Sequence, residues 1–348
     1  MDTKILDLCE DSIREQLFPG CVVGVLRAGK TTILPAGKMT YDTSSRLITT
    51  DTAYDVASIT KSIPTSCLIL HLVERGLLAL DDTLITYVPE LANRYRTSIL
   101  IRHLLTYTVV FDIPGGLSRV AKEKPHQILE SIFAADLRGE PGQTYYYTNP
   151  PAVLMGLIIE RITNMPLNEY ANEVFGSLNM HRTSFSSGWV GAQSVAPTEI
   201  DWRGEIQGTP HDESAWILRQ AGKVAGHAGL FSTAPDLLIF AQMLLDNGTY
   251  MGRRYFSEET VTSMHTNQIA ELGHSAGLGW ELNWPEIMGN QGSTEKFGKT
   301  GFTGCLIVMD PVSKRAMVHL SNRTYPHRKD NKQQLNSLRR KLCDLVFA

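Results

Sequence analysis

The strongest constraint on this chain is where its β-rich runs fall. Two short apolar runs, CVVGVLR and TTILPAG, stand near the N-terminus, and the glycine-containing turn between them predicts a hairpin. Four more, GLGWELNW, STEKFGKTG, CLIVMDP and RAMVHLSN, stand near the C-terminus, and an Asp-Pro-containing turn joins the last two. Between them the pattern turns helical. Apolar spacing predicts helices over 4–18, from Ala57 to a C-cap at Gly76, and over 98–107, 125–137, 150–163 and 167–175. Asn149 and Pro150 mark the start of the fifth as N-cap and first position, whereas Pro64 requires a distorted start to the second. Further helices are expected after residue 235 and over 331–346. Strands at both ends around a helical middle predict one sheet built from the two termini with a helical insertion.

Length and charge narrow the function classes. The 348 residues are 43% apolar and 20% charged, enough for a sizeable core, and at ~150 residues per domain admit roughly two structural units. A net charge of −3 gives no electrostatic reason to bind nucleic acid or an anionic membrane. The opening MDTKILDLCEDSIREQLF lacks the apolar core of a signal peptide, and no run approaches the ~18 apolar residues of a membrane span. A soluble, cytoplasmic protein is the expectation. The five cysteines (Cys9, Cys21, Cys67, Cys305, Cys343) form no CxxC pair, so neither a disulfide framework nor a zinc cluster is predicted.

Several motifs compete for the chemistry. Gly298-Lys299-Thr300 is out of register for a phosphate loop and leads into Gly-Phe-Thr-Gly rather than a helix, so nucleotide binding is not supported. HExxH and GxSxG are both missing. Ser-x-x-Lys occurs at Ser58–Lys61 and Ser293–Lys296. Spacing of i to i+3 lets a lysine amine, if kept neutral, take the proton of a serine hydroxyl. The second pair is expected in a polar loop, where nothing would exclude water. The first opens an apolar helix behind the strand-like AYDVA, where helix N–H groups favour a developing anion. Taken alone, Ser58 reads as an N-cap beside a solvated lysine. Tyr-x-Asn also occurs twice; Tyr170 sits in a helical pattern and reads as packing, whereas Tyr147 precedes a helix on a loop edge. One Lys-Thr-Gly, Lys299–Gly301, falls on a strand.

Ser58-x-x-Lys61, Tyr147-x-Asn149 and Lys299-Thr300-Gly301, in that order, resemble the penicillin-recognising serine hydrolases. The middle motif is similar to that of class C β-lactamases, D-Ala-D-Ala carboxypeptidases of that type and family VIII carboxylesterases; the Ser-Asp-Asn of class A enzymes is absent. Flanking segments, among them IRHLLT, EPGQTYYYTNPPAVLMGLIIE and FGKTGFTG, extend the likeness over nearly the whole chain. One departure stands out: Tyr107-Thr108-Val109-Val110 replaces the family's usual His-Thr-Ser-Gly, a segment that helps shape a pocket wall.

The resemblance implies a β-lactamase/transpeptidase-like α/β (α+β) fold: an antiparallel sheet flanked by helices from residues 1–57 and 216–348, and a helical region over 58–215. It implies Ser58 as nucleophile, with Lys61 and Tyr147 sharing its proton. Asn149 would orient Lys61 and the substrate, and the backbone N–H groups of Ser58 and Phe302 would form an oxyanion hole. Lys299, with Thr300 and Gly301 beside it, would lower the tyrosine pKa or meet a substrate carboxylate. Neither metal nor organic cofactor is called for, the partner is a small acyl substrate, and the oligomeric state is left open. A small ester or amide is the expected substrate. A true β-lactamase or D-Ala-D-Ala carboxypeptidase, and a catalytically silent binding protein of the same fold, are the alternatives. His211-Asp212-Glu213 is read as either cleft lining or a helix cap, His227 as a packing or hydrogen-bonding residue, and Arg323 as solvated.

Overall fold

The computed structural model describes residues 1–92, 99–188 and 191–348; Ser98, which begins one expected helix, lies outside them. Helix α1 (Asp2–Arg14) leads into the hairpin β1 (Gly20–Arg27) and β2 (Lys30–Gly37). The helical middle includes α2 (Cys67–Glu74), α3 (Pro150–Thr163), α4 (Leu167–Ser177) and α5 (Glu213–Gln220), and α6 (Ala234–Leu245) follows it. Strands β3 (Glu281–Leu282), β4 (Phe297–Thr300), β5 (Leu306–Asp310) and β6 (Arg315–Ser321) follow, and α7 (Lys332–Phe347) closes the chain. All six strands join one antiparallel sheet in the order β3-β4-β5-β6-β1-β2. The two termini thus meet at the sheet centre, where Val22 lies opposite Leu320.

The central strands read as unbroken apolar runs because both of their faces are covered. Cys21, Val23 and Val25 of β1, with Leu306 and Val308 of β5, pack against Ile5 of α1 and Leu338 and Leu342 of α7. The alternate residues, Val22, Leu26, Ile307 and Val318, face the other way. They join a core that continues through α6 (Leu237, Leu238) into the helical middle (Leu68, Leu104, Leu154, Ile158). Backbone clearance is small at the cleft side of the sheet. A Cβ on Gly298 would stand 2.2 Å from the Ile307 carbonyl oxygen across the ladder. Gly298→Ala should therefore cost about 1–3 kcal/mol of overpacking, read as a lower Tm in calorimetry; an unchanged Tm would mean the ladder is looser than this.

Two expected elements are shorter than read. GLGWELNW contributes only Glu281–Leu282 as strand. The helix expected from Ala57 is regular only from Cys67; before it come a tight 3₁₀ turn, Ala57–Lys61, and a distorted turn, Ser62–Ser66. Pro64 is the cause, for it offers no N–H and drives the residue before it out of the helical region. Ile63 accordingly sits at φ −114°, ψ 108°. All five cysteines are buried and unpaired. Among the described residues no helix is long and apolar enough to cross a membrane.

Candidate active site

Ser58 stands immediately behind the short strand Tyr54–Asp55, which pairs with Phe231–Ser232. Between them Ala57 takes φ +49°, uncommon for a residue with a side chain, and the Asp55 carboxylate accepts its N–H at 2.8 Å. The 3₁₀ turn that follows eclipses residues i and i+3, so Ser58 and Lys61 face each other. Lys61 Nζ donates to Ser58 Oγ at 2.9 Å and to the His227 carbonyl at 3.1 Å. Lys61 is fully buried. Burial first, then the nearby Lys299 ammonium, bring its pKa down to about 7, against the opposing pull of Asp212 and Glu281. The bland N-cap reading of Ser58 fails here: its lysine is enclosed, not solvated.

Tyr147 comes from the loop before α3. Its ring lies 5.1 Å from Lys61 Nζ and 4.5 Å from Lys299 Nζ, and meets the Tyr107 ring at 4.9 Å. Protein crowded around the phenol pushes its pKa up, with Lys299 the chief counter-pull. Asn149 does precede α3, but its side chain makes no capping bond; its backbone carbonyl takes the N–H groups of Ala152 and Val153 instead. Among the described residues no hydrogen bond joins that side chain to Lys61.

Tyr107–Val110, the segment that departs from the family pattern, seats the Tyr147 loop. The carbonyls of Tyr107, Thr108 and Val110 accept the N–H groups of Tyr146, Gly142 and Arg138. Tyr107 itself takes φ +56° and lies buried, its hydroxyl without a hydrogen-bond partner. The segment therefore supports the tyrosine that the motif supplies, a role beyond that of a pocket wall.

Lys299, on β4, is not a free cation facing the cleft. It is fully buried, its ammonium 3.1 Å from Glu281 Oε1 and 5.0 Å from the Tyr107 ring. Glu281 was not among the expected site residues; the one hint is a lone acid inside the apolar run GLGWELNW. Gly301, just past β4, passes so close to the nucleophile turn that a Cβ would stand 2.4 Å from the Val56 carbonyl oxygen. Thr303 Oγ1 ties the same turn down by donating to the Asp55 carbonyl at 2.7 Å. Ser58 and Phe302, on the two segments so joined, keep backbone N–H groups that bond to no other group among the described residues.

The remaining candidates sort by contact. Asp212 caps α5 and, with Ser214, bonds His227 Nε2 at 3.0 Å, so His227 serves by hydrogen bonding and through its carbonyl. His211 is buried against the Phe302 ring. Arg323 is 8% exposed rather than solvated, because it donates to the Phe302 carbonyl and to Asn331. In the second Ser-x-x-Lys pair, Ser293 donates to Asp310 while Lys296 is buried under the carbonyls of Met288, Gly289 and Gln291. That lysine is enclosed, contrary to expectation, but is turned away from its serine. Tyr170 is buried, as read.

Ser58 and Tyr147 open into a cleft of about 620 Å³ that Thr300, Gly301 and Phe302 also line. Its lining is in part apolar (Leu282, Trp284, Pro285, Ile287, Leu335) and in part basic (Arg323, Lys332, Arg339). The family model described as Beta-lactamase matches residues 6–339. A protein of Escherichia coli (strain K12) named "Putative D-alanyl-D-alanine carboxypeptidase" is 30% identical over 311 residues, 80% of this chain and 70% of its own. Two solved structures share the fold. One is EstCE1, described as a hydrolase with promiscuous acyltransferase activity, at TM-score 0.78 and 20% identity, covering 99% of this chain and 98% of that one. The other is a β-lactamase/D-alanine carboxypeptidase from Pseudomonas syringae, at TM-score 0.75 and 19% identity, covering 97% of each chain.

Proposed function

The chain belongs to the β-lactamase family of serine hydrolases, and from that premise we propose that Ser58 forms an acyl-enzyme with a small, neutral ester or amide. The observation that carries the reading is the contact of 2.9 Å between Ser58 Oγ and a buried lysine whose pKa is brought to about 7. Near neutral pH much of Lys61 is then the free amine, able to accept the serine proton as Oγ attacks the acyl carbon. Tyr147, held as the phenol, would donate to the leaving oxygen or nitrogen and be reprotonated from Lys61. The N–H groups of Ser58 and Phe302 would hold the oxyanion. Thr300 and Gly301 would border the acyl group, and Asn149 would bond to the substrate. Lys299, paired with Glu281, would hold Tyr147 rather than meet a substrate carboxylate.

The apolar lining residues around Trp284 support the choice of neutral esters. A carboxylate-ended peptide is the second reading. It is supported by the basic residues of the lining, among them Arg339, whose Nε is buried and unpartnered while its other nitrogens bond to Asn336 and to the Gly301 and Cys305 carbonyls, and by the name of the E. coli relative. The test is a panel of p-nitrophenyl esters, a D-Ala-D-Ala peptide and a penicillin, with intact mass recording acylation. Short esters should turn over fastest; faster release of D-alanine would promote the second reading. We extend the proposal to the cytoplasm, supported by five buried thiols of which none is paired.

A pH profile tests the base. The competent form of Lys61 is the neutral one, so kcat/KM for a neutral ester should rise with pH through about 7 and then level off. A profile still rising tenfold per pH unit well above 8 would remove Lys61 as the ground-state base.

A further inference from the structure

Glu281 takes no part in the steps above, yet it lies in the cleft lining beside the reacting groups. One carboxylate oxygen stands 3.1 Å from Lys299 Nζ; the other is buried and has no hydrogen-bond partner. The ammonium it faces is enclosed on its other sides by the Tyr147 and Tyr107 rings, 4.5 and 5.0 Å away. An opposite charge at this range, out of bulk water, cancels most of the field the ammonium would send outward. What remains is the short-range attraction of a cation for two aromatic faces.

We propose that Glu281 is a positioning and specificity-determining residue: it neutralises Lys299, so that the lysine holds Tyr147 and Tyr107 in place without offering a free positive charge to the substrate. At the Glu281–Lys299 pair the site then favours neutral acyl groups over those that end in a carboxylate. The proposal rests on the serine hydrolase reading above and names the substrate charge that this site prefers.

The same pair acts on the proton acceptor. Lys61 is faced by Ser58 on its own turn, by the His227 carbonyl and Asp212 behind it, and by Tyr147, Lys299 and Glu281 on the cleft side. Glu281 is faced in turn by Lys299, by Tyr107, Tyr145 and Tyr147, and by Arg339 on α7. Lys299 disfavours the charged form of Lys61, and Glu281 offsets that. Removing the acid while keeping its shape leaves Lys299 uncompensated, so Lys61 should lose its proton at lower pH.

Glu281→Gln is the experiment, on the full chain, with two acyl-matched nitrophenyl esters: a butyrate and a hemisuccinate. The ratio of kcat/KM for the hemisuccinate over the butyrate should rise about tenfold. The acid limb of the butyrate profile should move to about tenfold higher proton concentration. Glu281→Asp, which keeps the charge, should hold the wild-type ratio. Glu281→Gln combined with Lys299→Met removes both charges and should return the ratio towards wild type at lower kcat. Equal loss on both esters with an unmoved pH profile would overturn the proposal, as would the same ratio change in Glu281→Asp. Turnover is not needed for one arm. The ε-carbon resonance of Lys61, assigned by its loss in Lys61→Met, should titrate at lower pH in Glu281→Gln than in wild type. If neither ester is hydrolysed by wild type, the proposed function fails, and this titration alone decides the role of Glu281.

Discussion

Ser58→Ala is expected to abolish turnover, with kcat falling on the order of 10⁶-fold, the scale seen when a serine nucleophile is removed. The size follows from the chemistry. Without Oγ no covalent intermediate can form, and only cleft binding and the oxyanion N–H groups remain to assist direct attack by water. A slow-turnover acylating agent should add one mass increment to wild type, mapped to the peptide that contains Ser58, and none to the variant. The substitution should leave the fold intact, since the hydroxyl's strong contact is the Lys61 amine. An adduct that persists in Ser58→Ala, or that maps to Ser293, would overturn the assignment.

Tyr147→Phe should lower kcat by about 10²–10⁴-fold, the usual contribution of general acid–base assistance. The ring should keep its place, because the aromatic faces that meet Lys299 and Tyr107 remain. Lys61→Met should lose at least as much. Combining the two should cost far less than the product of the single effects, because both groups serve one proton path. Multiplicative losses in kcat would mean two separate paths. A Tyr147→Phe enzyme that retained more than about a tenth of wild-type kcat would put the phenol outside proton transfer altogether.

How far the sequence can be read depends on the range of the interaction that sets each feature. Sheet composition was legible because β1, β5 and β6 are covered on both faces and so carry unbroken apolar runs. Helix α3 was legible from the Asn149-Pro150 start, which fixes its first turn to the residue. Ser58, Lys61 and Tyr147 could be singled out because the first two are joined by local spacing and all three by the order of their motifs. Partners distant in the chain left no such trace. The His227 carbonyl that holds Lys61 lies 166 residues away. Glu281 reaches Lys299 only because β3 pairs with β4. Arg323 read as solvated because its acceptors, the Phe302 carbonyl and Asn331, come from separate turns. The distorted start to the helix from Ala57 was legible for a local reason, the backbone restriction that Pro64 imposes on Ile63.

The core that runs unbroken from the sheet through α6 into the helical middle also limits how this enzyme can discriminate. Domains that close on their ligands are separated by thin, polar contacts, and a hinge can work between them. Here the sheet and the helical middle share buried Val22, Val318, Leu238 and Leu154 in one contiguous cluster, so parting them would expose that interior to water. A hinge between the two is therefore disfavoured. A change of substrate preference is then expected from exchanging side chains along the rim, such as Trp284 or Phe302, rather than from a looser joint.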